Sequence, residues 1–364
     1  MEAQERTLLE DLLRGAGRRL LAQRRVLGWR QPPALTEMLE QGVGPWAIEE
    51  GPLRPWAESM IRAYWACGGR TNTPMEVDEL EMAVAAFAAC MGALEIFDDL
   101  IDGDEPDGGR QAPNLALAFI GESTLLLSRL SPACAAPLLA FWGAMWTRCA
   151  AAQAQDVAFS TDPHVTVAQA LAVAEGCGPF TRWAVEAGAL LAGAPAELRA
   201  PLSDFGQYLG TAEKLLHDVH DLWPDGHPSR DLHRPSCNLA LVVARNEGVL
   251  PWERDVGADD DALRRRIHDS GALHYAWAYA DQYRLQAAGA LERFAAAGGD
   301  AAPLVPVLAL PPETRAADGW RRPDCLQWPC TLDVLNRDIS CDCVKFRRQV
   351  WPGRSSGQGL PPIC

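Results

Sequence analysis

The sequence has few runs in which β-branched residues alternate with polar ones, the pattern of a half-buried strand. It has no P-loop, no dinucleotide-binding glycine pattern and no HExxH motif, which excludes those nucleotide-binding and zinc-protease classes. No segment reaches the roughly 18 uncharged apolar residues of a membrane span. The charged, amphipathic start of the chain also lacks the apolar core of a signal peptide. These absences predict a soluble, helical, cytoplasmic protein without a transmembrane segment.

Positive charge is scarce in this chain. Its 33 Lys and Arg residues stand against 48 Asp and Glu residues, so the net charge is −15 at pH 7. Such acidity disfavours the phosphates of nucleic acid and of anionic membranes as main partners. The composition, 48% apolar and 22% charged, is typical of a globular protein.

The 11 cysteines form two groups. Six lie in apolar segments, where a free thiol packs as a small hydrophobic group: Cys67, Cys90, Cys134, Cys149, Cys177 and Cys237. The other five lie between Cys325 and Cys364, and their spacing fits no standard zinc pattern. Disulfides are rare in the cytosol. The role of this tail, including whether its cysteines bind metal, is left open.

Apolar residues recur at intervals of three and four along most of the chain, which is the helical period. Segments such as Met82–Phe97 are apolar all round, which indicates helices surrounded by other helices. The predicted fold is all-α, with one large helical bundle over residues 1–310 and an irregular extension rich in Cys, Trp and Pro over 311–364. The predicted helices span residues 5–25, 55–68, 77–102, 112–130, 132–157, 165–174, 178–193, 199–223, 237–247 and 258–297.

The sharpest motif is an acidic run at the end of an apolar helix. Asp98, Asp99 and Asp102 are spaced by three and four, so they share one side of the helix end. Their carboxylates repel one another and meet the negative end of the helix dipole, so a bound cation would stabilise them. Oxygen ligands of this kind suit Mg²⁺, which often shares its coordination shell with substrate phosphates. A solvated acidic helix end is the alternative explanation.

A second acidic set follows about 120 residues later, at the end of another mainly apolar helix. It contains His217, Asp218, His220 and Asp221, with Lys214 one turn before Asp218. Basic residues follow both sets, namely Arg110 after the first and Arg230, His233 and Arg234 after the second. Two such helix ends would suit a metal-bridged diphosphate, with the cations neutralising its leaving oxygens. His217 is left open between metal ligand and surface histidine, and a surface role is favoured for His220.

With both sets in view, the chain from about Gly51 to Leu310 resembles the trans-isoprenyl diphosphate synthase (polyprenyl synthetase) family of the class I terpenoid synthase superfamily. Within it, the terpene-synthase-like members are the most similar in their motifs. The ordered motifs are DDxxD at Asp98–Asp102, QxxD at Gln153–Asp156 with Ala152 for the family's glycine, GALLAG at Gly188–Gly193, FGxxLGxA at Phe205–Ala212, HDxxD at His217–Asp221 and RDL at Arg230–Leu232. Their order and spacing carry the resemblance, since each motif alone is weak. The resemblance implies an all-α bundle and an apolar cavity that opens at two Mg²⁺-binding aspartate clusters. It also implies a homodimer.

Several cations of the chain-elongating members are missing here. The family's isopentenyl diphosphate segment, GGKRxRP, corresponds to Glu49–Pro55, which keeps only Arg54. Gly176 takes the place of the lysine in a Lys-Thr pair, and Ser236 that of the lysine in Lys-x-Thr-Leu-Pro. The double arginine after the first motif is reduced to Arg110. A second diphosphate would be poorly held, so these departures favour an enzyme that ionises one prenyl diphosphate without adding isopentenyl diphosphate.

The resemblance also implies roles for individual residues. The candidate catalytic carboxylates are Asp98, Asp99, Asp102, Asp218 and Asp221, and the candidate Mg²⁺ ligands are Asp98, Asp102, His217, Asp218 and Asp221. The candidate diphosphate-binding cations are Arg54, Arg110, Lys214, Arg230 and Arg234. The candidate cavity residues, each with plain core packing as its alternative, are Ala93, Leu94, Phe97, Phe180, Trp183 and Tyr208. Because Ala93 and Leu94 are not aromatic, an open cavity floor and a substrate of farnesyl length or longer are expected.

The leading functional prediction is a Mg²⁺-dependent terpene synthase that cyclises or rearranges the allylic cation of a prenyl diphosphate. One alternative is a prenyltransferase to a non-isopentenyl acceptor, either aromatic or peptide. A second is a chain-elongating synthase whose basic residues come from elsewhere. A third is a non-catalytic partner subunit of a prenyl synthase, against which the intact first aspartate set argues.

Overall fold

The computed structural model describes residues 2–26, 54–102, 112–177, 179–222, 231–232, 236–251, 259–308, 316–317 and 320–321. Helices dominate these ranges, and the predicted all-α class is confirmed. The helices are α1 (Glu2–Val26), α2 (Arg54–Ala66), α3 (Pro74–Asp102), α4 (Ala112–Leu127), α5 (Pro132–Ser160), α6 (Val167–Cys177), α7 (Pro179–Leu191), α8 (Ala196–Asp221), α9 (Leu239–Asn246), α10 (Asp260–Asp269), α11 (Ala272–Ala296) and a 3₁₀ helix (Ala302–Leu308). Within the same ranges, β1 (Ala316–Ala317) and β2 (Trp320–Arg321) form one short antiparallel pair.

One predicted helix, over residues 258–297, is wrong, because the chain there forms two helices, α10 and α11. Gly271 lies between them with a φ of 79°, a left-handed conformation that glycine adopts without a Cβ penalty. The Ser270 hydroxyl accepts a hydrogen bond from the Ala272 N–H at 3.2 Å, which caps the start of α11. The apolar period continues across the break, so periodicity alone missed it.

The chain divides into two compact units. The first unit comprises Met1–Trp146, Phe180–Gly206 and Ala290–Val307, and the second comprises Thr147–Pro179, Gln207–Gly289 and Leu308–Cys364. The first aspartate motif belongs to the first unit, and the His-Asp set belongs to the second. The predicted boundary at residue 310 lies outside the described residues and stays a prediction, as does the character of most of the 311–364 extension.

Helix α3 is enclosed in the first unit, as its apolar sequence predicts. The five residues Ala83–Phe87 are all fully buried. The ring of Phe87 stacks on Trp183 of α7, with centroids 4.5 Å apart and planes 13° apart, and Trp142 of α5 packs 5.5 Å from Trp183. By length and hydropathy alone the stretch Pro74–Ile101 is long and apolar enough to cross a membrane, although it is not a run of uncharged residues. However, 78% of its apolar window is buried inside the protein, as in a core helix.

Two motif glycines allow close packing of neighbouring helices in the first unit. A Cβ atom on Gly188 of α7 would lie 2.2 Å from the Met60 carbonyl oxygen of α2. A Cβ atom on Gly206 of α8 would lie 2.5 Å from Cα of Arg182 on α7. The obstructing atoms are backbone, which cannot rotate aside, so these helices approach this closely only where a side chain is absent.

We expect Gly188→Ala to lower the free energy of unfolding by about 3 kcal/mol, because the new methyl group forces α7 away from α2. The matched control is Gly121→Ala on α4, where no atom lies within 4 Å of the added Cβ. That variant should gain about 0.5–1 kcal/mol from the better helix propensity of alanine. Urea unfolding of both variants tests the prediction, and equal effects would contradict it.

Candidate active site

The first aspartate motif occupies the last turn of α3. Asp98 is exposed and Asp99 is partly exposed, while the side chain of Asp102 lies outside the described part of the structure. No basic residue occurs in this last turn. The carboxylates therefore meet the negative helix end without a cation from their own turn, which favours an external cation.

An apolar cluster supports this end of α3. Ala93 is fully buried in it, together with Phe119 of α4, and Phe97 and Trp146 pack against it. The rings of Phe97 and Trp146 meet edge to face, with centroids 6.4 Å apart. The prediction of an open cavity floor was based on residues of α3 alone. In the structure, α4 and α5 also bring aromatic side chains to the cluster that contains Ala93.

The other cavity candidates differ in exposure. Trp183 is fully buried among aromatic rings, whereas Leu94 and Phe180 are partly exposed. In the second unit, Tyr208 is partly exposed, and its ring centroid lies 6.5 Å from that of Tyr283. The cavity roles of all six candidates stay predictions.

The second acidic set forms a compact group at the end of α8. His217, Asp218 and Asp221 each offer one ligand atom, and these three atoms lie within 4.8 Å of one another. The His217 Nδ1 atom lies 3.0 Å from Asp221 Oδ2, and the Lys214 Nζ atom lies 2.7 Å from Asp218 Oδ1. Helical spacing of four residues brings both pairs together. Asp218 is buried, whereas the His217 side chain is 70% exposed.

His217 and Lys214 of α8 change the pKa of the neighbouring Asp221 carboxyl group. The hydrogen bond to Asp221 raises the pKa of His217. Burial raises the pKa of Asp221, but the His217 hydrogen bond and the positive charges of His217 and Lys214 outweigh burial, so the net pKa is lowered. The lowered pKa favours the ionised carboxylate of Asp221, the form that binds a metal ion, whereas His217 must lose a proton before its imidazole can become a ligand. The donor set, two carboxylates and one imidazole within 4.8 Å, fits one divalent metal ion.

Asn238 fixes the acidic end of α8 in place. Its Nδ2 atom donates to the Asp218 carbonyl oxygen at 2.7 Å and to Asp231 Oδ2 at 3.2 Å. Its Oδ1 atom accepts from the Ala240 N–H at 3.0 Å, which caps α9. The Cys237 N–H donates to Asp156 Oδ1 at 3.3 Å, which ties the same segment to α5. Asn238 was not among the predicted site residues, although asparagine just before an apolar helical run is a recognised N-cap signal.

The carboxyl group of Asp231, beside this set, is unfavourable to ionise. Burial, followed by the negative charge of Asp218, raises the pKa of Asp231 to about 6. An acid with a raised folded-state pKa contributes stability that is complete below its unfolded pKa and is lost as the pH rises through the folded pKa. For Asp231 this loss falls between about pH 4 and pH 6.

We therefore expect Asp231→Asn to stabilise the metal-free protein by about 1–2 kcal/mol at pH 7, and to have almost no effect near pH 4. The amide keeps the shape of the carboxyl group and needs no ionisation. The measurement is urea unfolding of both proteins at pH 4, 5, 6 and 7. A stabilisation that is independent of pH would show that the charge of Asp231 is not its cause.

Of the five predicted diphosphate-binding cations, Lys214 is the one whose side chain lies in the described residues. Arg110, Arg230 and Arg234 lie outside them, as does the side chain of Arg54 within α2. Their roles stay predictions.

Two further arginines contact the backbone at or beside positions 176 and 236, where the resemblance leads us to expect lysine. Arg148 of α5 donates from NH2 to the Glu175 carbonyl oxygen at 3.2 Å, beside Gly176. Arg245 of α9 donates from NH1 to the Ser236 carbonyl oxygen at 3.0 Å. Neither arginine was among the predicted site residues, because helical spacing and local motifs do not show which backbone carbonyl a side chain reaches.

The loss of the lysine at position 176 has a steric explanation. A Cβ atom on Gly176 would lie 2.2 Å from the Cβ atom of Ala152. Ala152 itself replaces the glycine of the resembled QxxD motif. The two departures therefore compensate each other, since the methyl group of Ala152 fills the space that a side chain at 176 would need.

Comparison with known proteins places these features on a known fold. No protein-family profile matches the chain. It is similar to a polyprenyl synthase from Caulobacter crescentus, solved with calcium and isoprenyl diphosphate, at a TM-score of 0.66 and 20% identity, covering 84% of this chain and 96% of that one. It is also similar to octaprenyl pyrophosphate synthase from Helicobacter pylori, at a TM-score of 0.65 and 15% identity, covering 82% and 97%.

A short stretch also shows sequence similarity to curated proteins. It is 38% identical over 72 residues to the (2E,6E)-farnesyl diphosphate synthases of Mycobacterium tuberculosis and Mycobacterium bovis. This match spans 20% of this chain and only 20% of the length of those enzymes. The chain thus has the fold of the trans-isoprenyl diphosphate synthases, and the resemblance inferred from its motifs is confirmed.

Proposed function

We propose that this protein is a metal-dependent, chain-elongating isoprenyl diphosphate synthase that joins isopentenyl diphosphate to an allylic prenyl diphosphate. The observation that carries the proposal is the pair of ligand sets, each at the acidic end of a long helix, on the fold of solved prenyl synthases. The named relatives and neighbours are farnesyl, geranylgeranyl, octaprenyl and polyprenyl synthases, which favours chain elongation over the cyclisation predicted from sequence.

In this proposal each acidic set holds a divalent metal ion for diphosphate binding. Asp98, Asp99 and Asp102 would hold Mg²⁺ from the end of α3, and Asp218 and Asp221 with His217 would hold a further divalent ion from the end of α8. When bound, these ions neutralise the diphosphate and assist its departure as pyrophosphate. Lys214, now paired with Asp218, would turn to the diphosphate oxygens once a metal ion takes its place. Arg54, Arg110, Arg230 and Arg234 are proposed to assist in the same way.

Arg148 and Arg245 are proposed to hold the second diphosphate. Terpene synthase chemistry was predicted because several cations of the family are missing, among them the lysines expected at positions 176 and 236. The two guanidinium groups lie against the backbone at or beside those positions, which supports the alternative of an elongating synthase whose cations come from elsewhere. Arginine binds phosphate oxygens in a bidentate manner and does not lose its charge.

Cyclisation of a single prenyl diphosphate is the second candidate. It is favoured by Gly176 and Ser236 themselves, which carry no charge where the family has lysine. For either reaction we propose a substrate of farnesyl length or longer and a cytoplasmic location, both expected from the sequence, and a homodimer, which the resemblance implies.

The test is incubation with Mg²⁺ and geranyl, farnesyl or geranylgeranyl diphosphate, each with and without radiolabelled isopentenyl diphosphate. Label in a longer prenyl diphosphate supports elongation. A volatile hydrocarbon or alcohol made without isopentenyl diphosphate supports cyclisation and overturns the main proposal.

We further expect Arg148→Gln and Arg245→Gln to raise the KM for isopentenyl diphosphate about tenfold or more, because each removes a charge-assisted hydrogen bond. Arg265→Gln on α10, where the side chain is 69% exposed, is the matched control. Steady-state kinetics in isopentenyl diphosphate measure the effect. A KM change no larger than that of the control would remove both arginines from the proposal.

A further inference from the structure

We propose that the ligand set at the end of α8 binds a first-row transition-metal ion, of the Mn²⁺, Fe²⁺ or Co²⁺ class, in preference to Mg²⁺. The imidazole of His217 would be a direct ligand of this ion. The inference rests on the proposed function, in which α8 holds one of the divalent ions, and it specifies which ions that helix selects.

The composition of the ligand set is the first argument. A set of three carboxylates is made of hard oxygen atoms, the ligands that Mg²⁺ prefers. This chain offers His217 with Asp218 and Asp221, so one oxygen position is taken by nitrogen. Imidazole nitrogen raises affinity for transition-metal ions relative to Mg²⁺. The end of α3, by contrast, presents carboxylates alone, so a difference in metal preference between the two sets follows from their residues.

The distances agree with shared coordination. Ligands that lie about 2.1 Å from an octahedral ion are about 3.0 Å from each other along an edge. The His217 Nδ1 and Asp221 Oδ2 atoms are 3.0 Å apart. An ion therefore needs little movement of either side chain to replace the proton that they share.

The site combines a buried carboxylate, Asp218, with an exposed imidazole, His217. Asp218 is buried, and its backbone carbonyl accepts a hydrogen bond from Asn238. The His217 side chain is 70% exposed, so an ion can enter from solvent between the imidazole and the buried carboxylate. A fixed carboxylate beside an accessible imidazole distinguishes this group from a scattered acidic surface.

The test uses Mn²⁺, a paramagnetic ion whose coupling to a ligand nitrogen can be detected. Metal-free protein is mixed with inorganic pyrophosphate and Mn²⁺, and pulsed electron paramagnetic resonance measures coupling of the ion to nitrogen. We expect nitrogen coupling in the wild-type protein and in the control His164→Asp, and none in His217→Asp. In competition titrations, His217→Asp should need about tenfold less Mg²⁺ to displace Mn²⁺, or less still, since even outer-shell changes alter metal affinity by about 10–100-fold.

Each outcome decides the inference. Nitrogen coupling that disappears with His217 supports it. Bound Mn²⁺ without nitrogen coupling, coupling that persists in His217→Asp, or no Mn²⁺ binding in the presence of pyrophosphate overturns it. The measurement needs no turnover, so it is separate from the proposed function. Coupling in a protein that processes no prenyl diphosphate overturns the function alone, and elongation without coupling overturns the metal inference alone.

Discussion

Asp98→Asn should reduce turnover about a thousandfold or more and leave the protein folded. Metal ions supply several kcal/mol of transition-state stabilisation, and about 4 kcal/mol corresponds to a thousandfold in rate. Asp98 is exposed at the negative end of α3, and asparagine keeps the shape of its side chain while removing a charge that the helix dipole disfavours. The measurements are kcat with the accepted prenyl diphosphate and urea unfolding.

Glu95→Gln is the matched control for this prediction. Glu95 is an exposed residue on the same helix, one turn before the motif, and its substitution removes the same charge. It should retain wild-type turnover. Equal loss of activity in the two variants would show a general effect of charge on α3, and unfolding of Asp98→Asn would show that the motif is structural.

Asp218→Asn should lose turnover to a similar extent and should also destabilise the protein by about 1–2 kcal/mol. Unlike Asp98, Asp218 is buried and is paired with Lys214 at 2.7 Å. Its neutralisation leaves the ammonium group of a partly buried lysine without its carboxylate. Turnover and urea unfolding measure the two effects separately.

The double variant Asp218→Asn with Lys214→Met separates the structural effect from the catalytic one. It removes both charges, so stability should return toward that of the wild-type protein while turnover stays lost. Recovery of turnover would mean that the Asp218 carboxylate is needed only as the partner of Lys214, which the proposed metal-binding role does not allow.

Much of the fold was predictable because it depends on local patterns. The apolar repeat located the helices, and the enclosed character of α3 followed from the apolar residues on all sides of its middle part. The break between α10 and α11 was missed because it depends on the backbone conformation of Gly271, which leaves no trace in the apolar period. The close approaches at Gly188 and Gly206 were visible as motifs, but their reason appears only when the neighbouring helix is in place.

Part of the candidate site could be predicted in the same way. Residues three and four apart share a helix face, which places Asp98 with Asp99 near the end of one helix and Asp218 with Asp221 near the end of another. The catalytic roles of these residues stay predictions. The contacts of Asn238, Arg148 and Arg245 could not be predicted, because neither apolar periodicity nor a motif shows which backbone carbonyl a side chain reaches. The prediction of cyclisation rested on cations missing from local motifs and did not consider these arginines.

Each acidic set is proposed to bind a metal ion that holds a prenyl diphosphate. The most direct test is calorimetric binding of an unreactive allylic diphosphate analogue to the wild-type protein, Asp98→Asn and Asp218→Asn, with Mg²⁺ and without it. We expect binding of the analogue to require metal and to weaken about tenfold or more in each variant. Binding that needs no metal, or wild-type affinity in either variant, would contradict the claim.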